Sequence, residues 1–413
     1  MKPIGGASAR FKDVALTIAL VVALAGCGDD VNVVPEGPGD ESSATLELRV
    51  QRNNDFAFKL YGEINSSSHN LLISPHSIAM TFGMAYAGAR GTTEREIADV
   101  LCFNYPQAGF HCVLKELNDL LSNRQGLDLR IANGCWGRHG EVYLQPFLDT
   151  LSVNYGADIE YLDFVNLPEE SRETVNAWVE EQTEGLVKDL LPPDAINALT
   201  YLVLANAVYF KADWLSQFDP AYTRTGTFTL LDGSQAGVPL MHGEQTFPYY
   251  EGDGFRAVEL PYQGEAISMI AVLPDEGRFR EFEASFDVAV LNAIADRLED
   301  TYIKITLPKF SFFSEFDLIP SLEAMGMTEA FRSGADFSGM DGTKDGQPWI
   351  SVVAHKAFIS VDEYGTLAAA GTGMVLTKGM HDSFDAERPF IFAIRDIETG
   401  TILFLGRVTD PRG

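Results

Sequence analysis

The stretch that most restricts the fold of this chain is one with little reason to pack where it stands. Between Glu363 and Lys378 run fourteen residues, YGTLAAAGTGMVLT, with no charge and almost no bulk in the first half. Ala368, Ala369 and Ala370 suit a helix, but Gly365, Gly371 and Gly373 each cost about 1 kcal/mol there relative to alanine. Thr366, Thr372, Met374, Val375 and Leu376 fit a pleated surface instead. The segment therefore reads as an extended strand held in reserve. Shortly after it, RPFIFAIRD (388–396) and TILFLGRV (401–408) are apolar runs joined by Ile397-Glu398-Thr399-Gly400, the pattern of a buried hairpin.

Upstream, apolar spacing predicts helices over 54–63, 113–121, 146–155 and 169–184, the last burying Val175, Trp178 and Val179. Ser74 followed by Pro75 gives an N-cap and a first helical position, starting a helix that runs to Ala89 and stops at Gly91. Thr93-Glu94-Arg95-Glu96 has the spacing of a capping box, with Ile97, Val100 and Leu101 turned inward. Strand patterns fall at 127–131, 228–231, 257–260, 266–273, 303–307 and 350–361, with a hairpin turn at Asp232-Gly233. The run 201–210 is so continuously apolar that it is expected at the centre of a sheet, covered on both faces. Helices dominate the first half and strands the second, which predicts an α+β architecture in one body.

With 30 basic against 59 acidic residues the chain carries a formal charge of -29, which repels nucleic-acid phosphates and anionic membrane surfaces. The N-terminus holds Lys2, Arg10 and Lys12, an apolar run over 14–24, and then Leu24-Ala25-Gly26-Cys27. This resembles a bacterial lipoprotein signal: 1–26 would be removed and Cys27 lipidated, placing the protein outside the cytoplasm on a membrane anchor. Residues 27–48, rich in Gly, Pro, Asp and Ser at their start, are expected to form a flexible tether, with one domain over 49–413. Cys102, Cys112 and Cys135 then remain, either as one disulfide plus a thiol or as three thiols. No metal or cofactor is expected, since no CxxC, HExxH, phosphate loop or dinucleotide fingerprint occurs. The absence of a GxSxG motif also argues against a hydrolase.

The residues 363–372, EYGTLAAAGT, resemble the hinge of the serpins. Similar motifs follow in order along the chain: Asn70-Leu-Leu-Ile-Ser-Pro-His-Ser-Ile78, 204–214 (LANAVYFKADW), Glu259-Leu-Pro-Tyr262, 304–310 (KITLPKF), 336–340 (DFSGM), 355–363 (HKAFISVDE), and Arg388-Pro-Phe390 leading to Leu405-Gly-Arg407. The resemblance implies a serpin fold, with one large mostly antiparallel sheet, two smaller sheets, surrounding helices and an exposed loop near the C-terminus. It implies a monomeric suicide-substrate inhibitor of serine, or cysteine, endopeptidases, with a hinge at Glu363, Gly365, Thr366, Ala368, Ala369 and Ala370. Catalysis belongs to the target protease, which forms the acyl-enzyme through its own nucleophile. Spacing from the hinge and from Pro389 leaves Lys378, Gly379 or Met380 at the cleaved bond. Ser74, Ser77, Asn206 and His355 match a polar cluster beneath the opening of the large sheet, and Trp214 a residue under the top of the loop. A non-inhibitory binding or chaperone-like lipoprotein on the same scaffold is the alternative. Leu367 departs from the acidic residue usual in the family.

Overall fold

Alternation and glycine punctuation translate into fifteen strands and ten α-helices among the described residues, which are 41–65, 68–103, 106–343, 348–366 and 382–413 of the computed structural model. The leader 1–26, Cys27, Ala368, Ala369, Ala370, Lys378, Gly379 and Met380 lie outside the described residues. The helices are α1 (Glu41–Ile64), α2 (Pro75–Gly88), α3 (Gly91–Val100), α4 (Gln107–Ser122), α5 (Gln145–Tyr155), α6 (Pro168–Gln182), α7 (Phe279–Ser285), α8 (Val288–Ala295), α9 (Ile319–Ala324) and α10 (Ser338–Asp341). The strands are β1 (Leu71–Ile73), β2 (Leu127–Arg138), β3 (Ile159–Leu162), β4 (Leu202–Asp213), β5 (Arg224–Thr229), β6 (Gln235–Gly252), β7 (Phe255–Pro261) and β8 (Ile267–Pro274). They continue with β9 (Glu299–Pro308), β10 (Phe310–Asp317), β11 (Ala354–Val361), β12 (Gly365–Thr366), β13 (Ser383–Asp385), β14 (Phe390–Asp396) and β15 (Ile402–Val408).

The large sheet runs β10-β11-β12-β4-β2-β3 and is antiparallel except where β2 meets β3. The other strands bond in the order β1-β15-β14-β8-β7-β6-β9-β13, with β5 also on β6. This path is two smaller sheets fused through β6, whose middle pairs with β9 and whose last residues pair with β7. The one-large, two-small arrangement expected from the sequence is therefore present. One core fills the space between the large sheet and the fused pair, including Phe210, Trp214, Ile303, Phe312, Ile359 and Phe392. A separate cluster, Trp136, Phe164, Val175, Val179 and Ala205, seats α6 on the opposite face of the large sheet.

Several local expectations are corrected by long-range contacts. Helix α1 begins at Glu41, inside the stretch expected as tether. Arg49 and Val50 are the first buried residues among its described side chains, and Asn53 and Asn54 donate to the Ile402 and Gly400 carbonyls of the C-terminal hairpin. The capping box at Thr93 does not form. Thr93 Oγ1 accepts from the Asp336 N–H (2.9 Å), and Glu96 accepts from the N–H groups of Thr328 and Glu329 (both 2.7 Å), so both polar side chains serve another segment. Ser74 stands at the N-cap of α2 without a side-chain cap bond. Strand β11 starts at Ala354, four residues later than its apolar pattern, and β6 and β10 were not legible as strands. Cys102, Cys112 and Cys135 form no disulfide, the first and last being buried and Cys112 half-buried, so of the two expectations the three thiols hold.

Candidate functional site

Strand β4 was expected to be covered on both faces, yet Leu202, Val203, Leu204 and Val208 are only half-buried. The cause is the neighbour it lacks. The pairing partner between β11 and β4 is β12, two residues long: Thr366 lies beside Val361 on one side and Ala212 on the other, and Gly365 beside Asp213. Below Thr366, among the described residues, β11 and β4 share no ladder. They border a cavity of about 130 Å³ whose walls include Leu204, Asn206, Val208, Ile350, Val353 and His355.

The top of this gap is closed by the hinge. A Cβ on Gly365 would overlap the Ala212 carbonyl oxygen and approach Asp213 Cα to 2.7 Å, so backbone spacing demands glycine there. Thr366 is 2% exposed, and its Oγ1 bonds the Tyr262 hydroxyl at 2.8 Å. Tyr262 stacks on Trp214 with ring centroids 4.5 Å apart, and Trp214 Nε1 donates to the Asp362 carbonyl at 3.0 Å. The Trp214 and Phe218 N–H groups donate to the Tyr364 and Glu363 carbonyls at 2.7 and 2.8 Å. Trp214 thus sits directly beneath the hinge.

Glu363 is buried and accepts from Lys309 Nζ at 2.6 Å and Thr223 Oγ1 at 2.7 Å. Burial alone would push its carboxyl up. The Lys309 ammonium and Thr223 hydroxyl outweigh that and hold it below the usual carboxylate range. The hinge is therefore pinned upstream by charge and downstream by one hydroxyl pair.

Ser74, Ser77, Asn206 and His355 all line the cavity, although they come from α2, β4 and β11 and the turn before α2. They form two separate bonded groups. His355 Nε2 accepts from the Ser74 backbone N–H at 3.2 Å, so the ring nitrogen facing α2 carries no proton. Burial holds the His355 pKa down at about 4, consistent with that neutral acceptor. Ser77 Oγ donates to Asn206 Oδ1, and Asn206 Nδ2 donates to Asn133 Oδ1 at 2.8 Å. Asn133 in turn donates to the Tyr155 carbonyl at 2.9 Å. The first group ties α2 to β11 and the second ties α2 to β4, so the two walls of the gap are each fastened to the same helix.

Sequence reasoning missed Asn133, Lys309 and Thr223. Asn133 has a signal only in retrospect, as an amide in an apolar strand, and its partner emerges from the register that sets it opposite Asn206. Of the hinge residues, Glu363, Gly365 and Thr366 are brought together here.

The family described as Serpin (serine protease inhibitor) matches residues 51–411. An uncharacterised serpin-like protein of Thermococcus kodakarensis is 39% identical over 88% of this chain and 86% of its own length. Leukocyte elastase inhibitor of Sus scrofa is 35% identical over 89% of this chain and all of its own length (100%). Among solved structures, human thyroxine-binding globulin complexed with its hormone superposes with a TM-score of 0.80 at 30% identity, covering 89% of this chain and 100% of that one.

Proposed function

This chain belongs to the serpin family, and on that premise we propose that it inhibits endopeptidases by offering the loop after Thr366 as bait and inserting it into the large sheet once cut. Serpins act as protease inhibitors in general rather than as catalysts, and leukocyte elastase inhibitor is a relative of that kind.

One observation carries the proposal: β12 is the first two residues of a missing strand. Extending its antiparallel register places position 368 beside Phe210 and Ile359, position 370 beside Val208 and Ala357, and position 372 beside Asn206 and His355. Alternation keeps these positions on the face of buried Thr366. The incoming residues in that register are Ala368, Ala370 and Thr372: two small side chains against the apolar walls, then a hydroxyl beside the polar cluster. Thr372 can bond to Asn206 or His355 and replace contacts that now run to α2. A charge at any of these positions would be desolvated, and a proline would lose a ladder bond. Neither occurs.

The test mixes the protein with trypsin, elastase, chymotrypsin and subtilisin. An adduct stable in SDS, its mass fixing the bond at Lys378, Gly379 or Met380, is expected with at least one. Plain cleavage by all four, with no rise in melting temperature, would sink the reading. The non-inhibitory alternative rests on the likeness to thyroxine-binding globulin, a carrier built on the same fold; that outcome is what it predicts.

The same proposal includes a lipid anchor at Cys27 and a position outside the cytoplasm. Its support is the basic, then apolar, then Leu-Ala-Gly-Cys order of the leader. Cys27→Ser is expected to move the protein from the membrane fraction to the soluble fraction with inhibition intact, and a variant that stays with the membrane defeats the anchor.

A further inference from the structure

Helix α3 is capped at Leu101, and Cys102 follows with φ of 58° while the Phe103 N–H closes back on the Ala98 carbonyl at 2.7 Å. That left-handed position after a helix is the usual place of glycine. Here it carries a thiol. Phe56 and Leu60 of α1 pack in the same core as Leu101, Cys102 and Phe103, which fixes the two backbones against each other. Lys59, exposed between those two anchors, donates from Nζ to Cys102 Sγ at 3.4 Å. The thiol proton in turn goes to the Val100 carbonyl, 3.9 Å from Sγ.

The pairing runs against the charge balance of the chain. With 59 acidic residues against 30 basic ones, a lysine is expected to meet a carboxylate. Asp55, one turn before Lys59, is taken by Arg52 at 3.1 Å, and among the described residues Lys59 forms no ion pair. Cys102 is 5% exposed and Lys59 is exposed, so the pair lies at the margin of the core, within reach of a small polar reagent. Cys135 is different: it is 1% exposed, and burial pushes its thiol up.

We propose that Lys59 and Cys102 form an oxidative crosslinking site whose reagent is a hydroperoxide and whose product is a sulfur–nitrogen bond between α1 and the end of α3. In the first step the thiolate attacks the peroxide oxygen: a sulfur–oxygen bond forms, the oxygen–oxygen bond breaks, and sulfur gives up two electrons. The departing alkoxide, or hydroxide when the reagent is hydrogen peroxide, takes a proton from the Lys59 ammonium and leaves as alcohol or water. That transfer turns Lys59 into the neutral amine that the second step needs. Its nitrogen attacks sulfur, the sulfur–oxygen bond breaks, and hydroxide leaves with a proton from nitrogen as water. One thiol, one amine and one hydroperoxide thus give one sulfenamide, one alcohol and one water. Attack by the following backbone nitrogen, the common competitor, is opposed because the Phe103 N–H is already committed to Ala98. The new bond spans 43 residues of sequence and restricts the unfolded chain as a disulfide does. The site needs nothing of the inhibitory reading.

The test treats the full chain with hydrogen peroxide and with tert-butyl hydroperoxide and maps the digested products by mass spectrometry. A linked pair of peptides joining Lys59 to Cys102 is expected, lighter than their sum by two hydrogens and separated by dithiothreitol, with Cys135 still reduced. The melting temperature is expected to rise by about 3 °C on treatment and to fall back on reduction. Lys59→Arg keeps the cation but offers no amine nucleophile; it is expected to give no link and a sulfenic acid on Cys102 that a cyclic dione traps. Cys102→Gly, suited to the positive φ, is expected to fold and to show no peroxide-dependent rise. A digest with Lys59 always unlinked, whether Cys102 is found as a sulfinic acid, in a disulfide with Cys112 or untouched, would overturn the proposal. The same loss of two hydrogens at Cys102 in Lys59→Arg would overturn it as well.

Discussion

The two strand systems of this molecule treat their interiors in opposite ways. In the fused pair, β8 and β15 are buried along their whole lengths and β14 pairs with both in near-continuous register. In the large sheet, β4 and β11 flank a strand of two residues and a cavity of about 130 Å³. Close packing gives the first system its stability. The second retains polar fastenings and half-buried apolar walls around that cavity. One region is filled along its length and the other borders a cavity, so substitutions in them have different signatures.

The largest effect is expected from Thr366→Arg. The native side chain already lies inside the sheet against Tyr262, so the cation must either be buried or drive β12 out. Burying it unpaired costs on the order of 3–5 kcal/mol. The expected outcome is a substrate: cleavage without adduct, read from the stoichiometry of inhibition. Undiminished inhibition would show that the face assigned to Thr366 does not go inward during insertion.

Paired truncations sharpen the contrast. Ile270→Ala in β8, fully buried, is expected to lower unfolding stability by about 2–5 kcal/mol. Leu204→Ala, at the wall of an existing cavity, is expected to cost about 1 kcal/mol or less, because fewer contacts are lost. Equal losses in a denaturant titration would erase the distinction between filled and reserved sheet.

Acid separates the regions again. His76, His111 and His355, in α2, α4 and β11, are each held down to about 4, chiefly by burial. Their unfolded forms titrate near 6.5, so the unfolded chain binds more protons between those values. Stability falls as pH drops from about 6.5 to about 4, by up to about 3 kcal/mol for each histidine. Amide exchange at pH 5 is expected to accelerate in α2 and β11 ahead of the C-terminal hairpin. His355→Gln is expected to shrink that acid response, as the slope of melting temperature against pH would record. Simultaneous loosening of both regions would contradict it.

The smallest effect belongs to the hinge clamp. Lys309 is about a third exposed, so Lys309→Met is expected to cost about 1 kcal/mol. It is also expected to release Glu363 enough for limited proteolysis to cut sooner just upstream of Gly365. An unchanged cleavage pattern would place the anchoring in the Trp214 and Phe218 bonds instead.

Much of this contrast was readable from residue order. The uncharged, glycine-punctuated segment after Glu363, the C-terminal hairpin and the positions of Ser74, Ser77, Asn206 and His355 all follow from local chemistry or family resemblance. What escaped was settled by partners far away in sequence. The side chains of Thr93 and Glu96 have the right local spacing for a cap, but the 328–336 segment claims them. Asn133 became visible only when the β2–β4 register set it against Asn206. The gap itself has no signature in β4 or β11, because both sequences look like strands of a filled sheet.

The short strand β12 has a kinetic consequence. A ribbon that must form from nothing waits for its first rung, since several dihedral angles are fixed before any bond is gained. Here Thr366 already pairs with both β11 and β4, and Gly365 with β4. A severed loop would therefore lengthen an existing edge, with no lag before the zipper starts to close, and the race against hydrolysis of the acyl bond would begin with the chain already under way.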